Sequence, residues 1–293
     1  MTDGVGLRTS FRARLRNLHI ASHASYASLH TGARRSRQTG SSIEFSDFRR
    51  YSPGDDVRQI DWNVYARSDR LFIKLREAED ALRVHILVDC SGSMDRGAEN
   101  KLGYARTLAG ALAYVALNDG DAITLTGFAE RLGNGMTGVG AGQVDRALDL
   151  LAGLGGGGAT EFGVALREFA ARRAPPGVLF LISDLMADDA LSGLGALAEM
   201  GHEIVLLHVL DREEDIAPDV GKDVELVDCE TSDRLVIPGD ADAALIYERN
   251  FHAWLEEIRG ACARSRIRYV ALETDWPVEE VVVQRLRMLK VVE

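Results

Sequence analysis

The sequence lacks several features that define whole classes of protein. Its three cysteines, Cys90, Cys229 and Cys262, lie far apart and form no CxxC pair, which argues against a disulfide framework and a structural zinc site. Its longest apolar run, residues 108–117, is about half as long as a bilayer span, and no apolar signal segment begins the sequence. We therefore expect a cytoplasmic protein without a transmembrane segment.

Two catalytic motifs are absent, and positive charge is in deficit overall. The sequence contains neither a GxSxG nucleophile turn nor a GxxxxGK[ST] phosphate loop. It therefore lacks the motifs that serine hydrolases and NTPases of these classes require. A net charge of −11 repels nucleic acid, and we expect no nucleic-acid partner. With 46% hydrophobic and 27% charged residues among 293, the composition is that of a folded globular protein.

The N-terminal region departs from this negative balance. Residues 7–37 contain seven arginines and no acid. We interpret residues 1–40 as a basic arm on the surface, and we expect the fold to survive deletion of the first 30 residues. A weak partner-binding role is assigned to three of its arginines, Arg34, Arg35 and Arg37.

Residues 41–82 form a second region, in which aromatic residues alternate with turn signals such as the run Ser52-Pro53-Gly54-Asp55. This pattern predicts a β-rich segment of short strands joined by tight turns. The aromatics could cover a core edge or stack on bases. We favour the core, because no RNA-binding sequence pattern accompanies them.

From residue 83 to residue 293, short apolar runs alternate with segments of helical periodicity. This alternation predicts an α/β fold with a doubly wound, mostly parallel sheet. The predicted strands are residues 84–89, 122–128, 178–184, 203–210 and 269–273. An additional edge strand near residues 131–139 would give the order 3-2-1-4-5-6, in which the strand ending at Asp184 neighbours the first strand.

Residues 211–240 interrupt this alternation. They contain 11 acids and 3 bases, and two short apolar runs flank the turn residues Glu230-Thr231-Ser232-Asp233. We interpret this region as an exposed acidic β-hairpin inserted into the α/β domain.

The first strand runs into Asp89-Cys90-Ser91-Gly92-Ser93, a DxSxS motif at the carboxyl end of a strand. Ligands of open α/β sheets bind at this edge, where the strand order reverses, and Asp184 ends the predicted neighbouring strand. Thr160 follows four glycines and precedes a helical segment. These residues can converge on one site.

Two converging carboxylates would repel each other, and a cation removes that repulsion. The candidate ligands are all hard oxygen donors, which favours Mg²⁺ over zinc, with Mn²⁺ or Ca²⁺ as alternatives. The predicted metal site consists of Asp89, Ser91, Ser93, Thr160 and Asp184. One octahedral position would remain open. Separate helix caps are the alternative explanation for these residues.

At these five positions the sequence resembles the von Willebrand factor type A domain, whose metal-ion-dependent adhesion site (MIDAS) is DxSxS plus a Thr and an Asp on two later loops. Residues 34–79 resemble the hallmark segment of the bacterial domain-of-unknown-function family 58. The resemblance implies a parallel-sheet fold, a companion ATPase of the MoxR-type AAA+ class and a role in assembling or activating client proteins. Many relatives carry N-terminal membrane spans, and this sequence has none.

Two classes of function remain open. The first is a Mg²⁺-dependent protein-interaction module, without enzymatic activity, in which a partner carboxylate fills the open metal position. The alternative is a Mg²⁺-dependent phosphatase-like enzyme with Asp89 as its nucleophile. Aspartyl phosphatases use a second aspartate two residues later as general acid, and Ser91 stands there.

Overall fold

The computed structural model describes residues 7–22, 48–50, 72–74, 81–95, 100–158, 161–212, 224–227, 234–237 and 241–293. The chain divides into two compact units. One comprises Met1–Tyr26 with Leu82–Glu293, and the other comprises Ala27–Ala81.

The smaller unit contains one described pair of strands, β1 (Phe48–Arg50) and β2 (Phe72–Lys74), which pair antiparallel. This pair agrees with the short strands expected of residues 41–82. The turns predicted between them lie outside the described residues, as do Arg34, Arg35 and Arg37.

The larger unit is built on a six-stranded sheet in the order β10-β7-β6-β3-β4-β5. All neighbouring pairs are parallel except β4 and β5. Its strands are β3 (Arg83–Asp89), β4 (Ala122–Phe128), β5 (Leu132–Val139), β6 (Val178–Ser183), β7 (Glu203–Leu210) and β10 (Arg268–Glu273). Counted within the sheet, this order is the predicted 3-2-1-4-5-6. The predicted α/β fold is therefore confirmed, including the edge strand near residues 131–139.

Helices cover both faces of this sheet. They are α1 (Thr9–Leu15), α2 (Lys101–Asn118), α3 (Val144–Ala152), α4 (Phe162–Ala171), α5 (Ala190–Ala198), α6 (Ala241–Arg264) and α7 (Val278–Glu280), which continues as a π-helix over Val281–Leu286. Ile86 and Val88 of β3 belong to the core under α2, whereas Leu87 belongs to the core under α4 and α5. Alternate side chains of a strand point to opposite faces, so β3 is buried on both.

The interrupting region contains β8 (Val224–Val227) and β9 (Arg234–Ile237), which pair antiparallel as the predicted hairpin requires. Its turn and most of its acids lie outside the described residues. No helix in the described part of the chain is both long enough and apolar enough to cross a membrane.

The N-terminal stretch differs from the expected surface arm over residues 7–22. Its apolar side chains at helical spacing are buried in the same core as the sheet, and α1 packs against α2. These side chains are Leu7, Phe11, Leu15, Leu18 and Ile20. Ile20 also bridges Val292 near the end of the described chain. The arginines occupy the other face of an amphipathic helix, so their charge concealed a packing element.

A pair of buried histidines lies at the amino ends of the strands. His85 of β3 and His202, just before β7, stack edge to face with ring centroids 4.8 Å apart. His85 Nε2 donates to Pro175 O, and Gly177 N donates to His202 Nδ1. Burial lowers the pKa of both imidazoles, that of His202 to about 4. Both rings are therefore neutral at neutral pH.

We expect this pair to make the larger unit acid-sensitive. Each folded-state pKa lies below the unfolded value of about 6.5, so the stability contribution is complete above that pH and is lost as pH falls through it towards 4. Between about pH 7 and about pH 5, the free energy of unfolding should fall by about 1 kcal/mol through His202. Urea denaturation at several pH values measures this change. His202→Gln should flatten the pH dependence, and the exposed control His252→Gln should not. Equal slopes for the two variants would contradict the assignment.

Candidate metal site

The candidate site lies at the carboxyl edge of the sheet, between two adjacent strands. Asp89 is the last residue of β3, and Asp184 directly follows β6, its parallel neighbour. Because the two strands are parallel neighbours, their carboxyl ends lie side by side, at the point where the strand order reverses. Hydrophobic side chains bury both strands. The expected convergence of Asp89 and Asp184 follows from this strand order.

The side chains at this edge form one continuous hydrogen-bonded chain. Ser93 Oγ donates to Asp184 Oδ1 (3.2 Å), and Ser91 Oγ lies 3.0 Å from Ser93 Oγ. Ser91 N donates to Asp89 Oδ1 (3.0 Å), and Ser183 Oγ donates to Asp89 Oδ2 (2.6 Å). Four of the five predicted ligands are thus brought together, none with more than 8% of its surface exposed.

The fifth predicted ligand, Thr160, lies outside the described residues. The glycine loop before it packs against the DxSxS loop, because Gly92 N donates to Gly158 O and Gly157 N donates to Cys90 O. A Cβ on Gly156 would stand 2.3 Å from Asp95 Cβ, so only glycine permits this approach. The loop that carries Thr160 therefore lies beside the other four residues up to Gly158.

Electrostatics at the site reflect two acids in a buried position. Burial, with the adjacent Asp184 carboxylate as the second cause, raises the pKa of Asp89 to about 7. The neighbouring thiol is inert as a nucleophile, since burial raises the pKa of Cys90 to about 12. The raised pKa of Asp89 reflects the cost of a second negative charge beside Asp184 where little water is present.

The structure also places at the site a cation that was not predicted from the sequence. Lys101 is the first residue of α2, and its Nζ lies 2.7 Å from Asp184 Oδ2, with side-chain exposures of 3% and 1%. A lysine at a helix N-terminus opposes the helix dipole, so its occurrence there calls for a nearby acid. That unfavourable placement, in a mostly apolar helix, is the one sequence signal for it, and it does not by itself distinguish a buried lysine from a surface one.

The side chains of His208, Tyr269 and Ser183 hold the turn at Asp184. His208 Nε2 lies 2.9 Å from Asp184 O, a group that only accepts, so this nitrogen carries the proton and Nδ1 accepts from Tyr269 O–H (2.8 Å). Leu185 adopts φ +56°, which is strained for a branched residue, and its N donates to Ser183 Oγ. These contacts hold the backbone from which the Asp184 side chain extends.

The donor set fits a hard divalent cation by its chemistry. Each Asp89 oxygen has a second lone pair beyond the hydrogen bond it accepts, and Asp184 Oδ2 faces the Lys101 ammonium. The hydroxyls add neutral oxygens. Within the described ranges, no group of three or more His, Cys, Asp or Glu is arranged to hold a metal. A cation here would thus depend on Ser91 and Ser93 as well as the two acids, and Lys101 would compete for Asp184.

The chain is similar to one protein family and to mycobacterial relatives. The family described as "Protein of unknown function DUF58" matches residues 47–252. "Uncharacterized protein Mb1516" of Mycobacterium bovis and "Uncharacterized protein Rv1480" of Mycobacterium tuberculosis are each 30% identical over 200 residues, 66% of this chain. The alignment spans 62% of the length of these relatives.

Solved structures show more distant likenesses. An aerotolerance-related membrane protein from Bacteroides fragilis is 15% identical, with a TM-score of 0.42, over 72% of this chain and 98% of that one. Proximal thread matrix protein 1 from the mussel byssus is 12% identical, with a TM-score of 0.39, over 72% of this chain and 46% of that one. At these values neither likeness carries information about function.

Proposed function

Because the chain belongs to the DUF58 family, whose function is unknown, we propose a role from its own site: a Mg²⁺-dependent protein-interaction module. Its partners are a MoxR-type AAA+ ATPase and a client protein that the pair assembles or activates. We place this role in the cytoplasm, a reducing compartment, in keeping with the free thiols of Cys90 and Cys262.

One observation carries the proposal. Asp89, Ser91, Ser93 and Asp184 come from two strand ends and form a single buried hydrogen-bonded chain at the sheet's switch point. Separate helix caps would have no reason to be joined in this way. Their DxSxS spacing and the following Asp are those of the adhesion site that the sequence resembles.

The acids and the serines contribute different ligands to such a site. Asp89 and Asp184 supply charge for the cation, and Ser91 and Ser93 supply neutral ligands and orient the carboxylates. When bound, Mg²⁺ offers a hard positive charge to a carboxylate of the partner. Because all four side chains are buried, the surrounding chain has to move before a partner carboxylate can reach them.

The phosphatase alternative finds less support at the site. Asp89 is 1% exposed, both of its oxygens accept hydrogen bonds, and its raised pKa leaves only part of it ionised at neutral pH. Ser91 stands where the general acid would be needed, and Cys90 is inert. We therefore propose binding without catalysis.

The proposal is tested with purified partners. We expect the full chain to bind the MoxR-type ATPase of the same organism at least tenfold more tightly in Mg²⁺ than in EDTA, a difference of about 1.4 kcal/mol. Ser91→Ala and Thr160→Ala, at positions far apart in the sequence, should each reproduce the EDTA affinity in the presence of Mg²⁺. Biolayer interferometry on the immobilised chain measures all of these affinities.

The matched control is Asp188→Ala, an exposed acid four residues after Asp184. It should leave both the affinity and its response to EDTA unchanged. Equal affinity in Mg²⁺ and EDTA, unaffected by the two site variants, would reject the metal-dependent interface.

A further inference from the structure

The acid pair already has a positive partner supplied by the chain itself. Lys101 Nζ lies 2.7 Å from Asp184 Oδ2, and both side chains are almost fully buried. Asp184 Oδ1 meanwhile accepts from Ser93 Oγ and Met186 N, both at 3.2 Å. The two oxygens of this carboxylate thus face different groups, one facing serine and backbone donors and the other facing the ammonium.

Several contacts hold the start of α2, which carries Lys101. Asn100 caps α2 by accepting from Gly103 N (2.9 Å), and Asn100 Nδ2 donates to Asp95 Oδ1 (3.0 Å). Leu102 N donates to Met94 O (2.8 Å), which ties the first turn of α2 to the loop that follows Ser93. The start of α2 and the metal-ligand loop are therefore one connected structure.

Burying a lysine ammonium here costs free energy unless the ammonium pairs with the acids. Two buried carboxylates repel each other, and a positive charge within salt-bridge distance offsets that repulsion. A divalent cation bound by the same acids would offset it too, but the two positive charges would repel each other at this distance. The two acids can therefore bind either the Lys101 ammonium or a divalent cation strongly, but not both at once.

We propose that Lys101 is the built-in counter-ion of this site, and that its ammonium and a divalent cation compete for Asp184. In the metal-free protein the ammonium then pairs with Asp184, and metal binding requires Lys101 to leave Asp184. This inference rests on the proposed metal dependence and adds its regulation, because the position of Lys101 sets the cation concentration at which the site loads.

The test compares the cation affinity of the full chain with that of Lys101→Met. Titration calorimetry with Mg²⁺ and with Mn²⁺, and Mn²⁺ electron paramagnetic resonance, report binding directly. We expect at least tenfold tighter binding by Lys101→Met, because the competing charge is gone. Lys101→Arg keeps the charge and should bind no more tightly than the parent. Lys290→Met makes the same change at an exposed position and should leave the affinity unchanged.

Stability gives a second readout. In EDTA, Lys101→Met should melt below the parent protein, and saturating Mg²⁺ should raise its melting temperature more than that of the parent. Lys101→Gln carries the same expectations and replaces Lys101→Met if that variant does not fold. Equal melting temperatures in EDTA would contradict the counter-ion role.

The outcomes separate this inference from the proposed function. Tighter binding by Lys101→Met, with measurable binding by the parent, supports both. Binding by the variant alone supports the counter-ion role and rejects the Mg²⁺ dependence of the parent protein. Equal or weaker binding by the variant rejects the counter-ion role alone. Absence of binding by either protein rejects both.

Discussion

Asp184→Ala is expected to lower the free energy of unfolding by about 3–5 kcal/mol, measured by urea denaturation in EDTA. The substitution removes the carboxylate that pairs with the buried Lys101 ammonium, and it deprives Ser93 Oγ and Met186 N of their acceptor. Breaking a buried ion pair from one side costs more than the pair contributed, because the remaining charge stays away from water.

Two further variants show whether the ion pair is the cause. The double variant Lys101→Met/Asp184→Ala should recover part of the loss, since replacing a buried pair by apolar groups is often close to neutral. Asp188→Ala removes an exposed acid from the same loop and should change stability by less than about 0.5 kcal/mol. A loss in Asp184→Ala no larger than that of Asp188→Ala would rule out a structural role for the pair.

Leu15→Ala should destabilise the larger unit by about 2–5 kcal/mol. Leu15 is the last residue of α1 and is fully buried against the core under α2, so the change leaves a cavity in a packed interior. Deletion of residues 1–22 removes five buried side chains and should cost more still. Chemical denaturation followed by circular dichroism measures both changes.

The matched control is Arg8→Ala, which removes an exposed positive charge beside the same helix. It should alter stability by less than about 0.5 kcal/mol. The two variants distinguish a packed helix from a charged surface arm. If this stretch were a surface arm, Leu15→Ala would change stability as little as Arg8→Ala does. That result would contradict the packing of α1.

The parallel sheet could be read from the sequence because each strand carries its own signal. Runs such as residues 122–128 and 203–210 are apolar on both faces, and the structure has strands with those same bounds. The hairpin of β8 and β9 was equally visible from its two apolar runs. The packing of the first helix was missed because its arginines dominated the composition, although Leu7, Phe11 and Leu15 follow a helical spacing.

At the site, the ligand candidates were identifiable from spacing and from their position at strand ends. Lys101, Ser183 and His208 were not, because each contacts its partner across a long separation in the chain. Ser183 meets Asp89 across 94 residues, and His208 meets Asp184 across 24. A lysine at the start of a helix has many surface explanations in sequence alone.

The sequence by itself determined the α/β class, the strand order and the four acid and hydroxyl groups that converge, because periodicity and strand-end position are local properties. Only the tertiary structure decided that residues 7–22 are packed inside the larger unit and that an ammonium stands beside Asp184. Both depend on which distant side chains share a buried volume. No local sequence pattern encodes burial by distant parts of the chain. That burial decides whether a lysine lies on the surface or beside a buried acid, and whether a basic stretch also contributes side chains to the core.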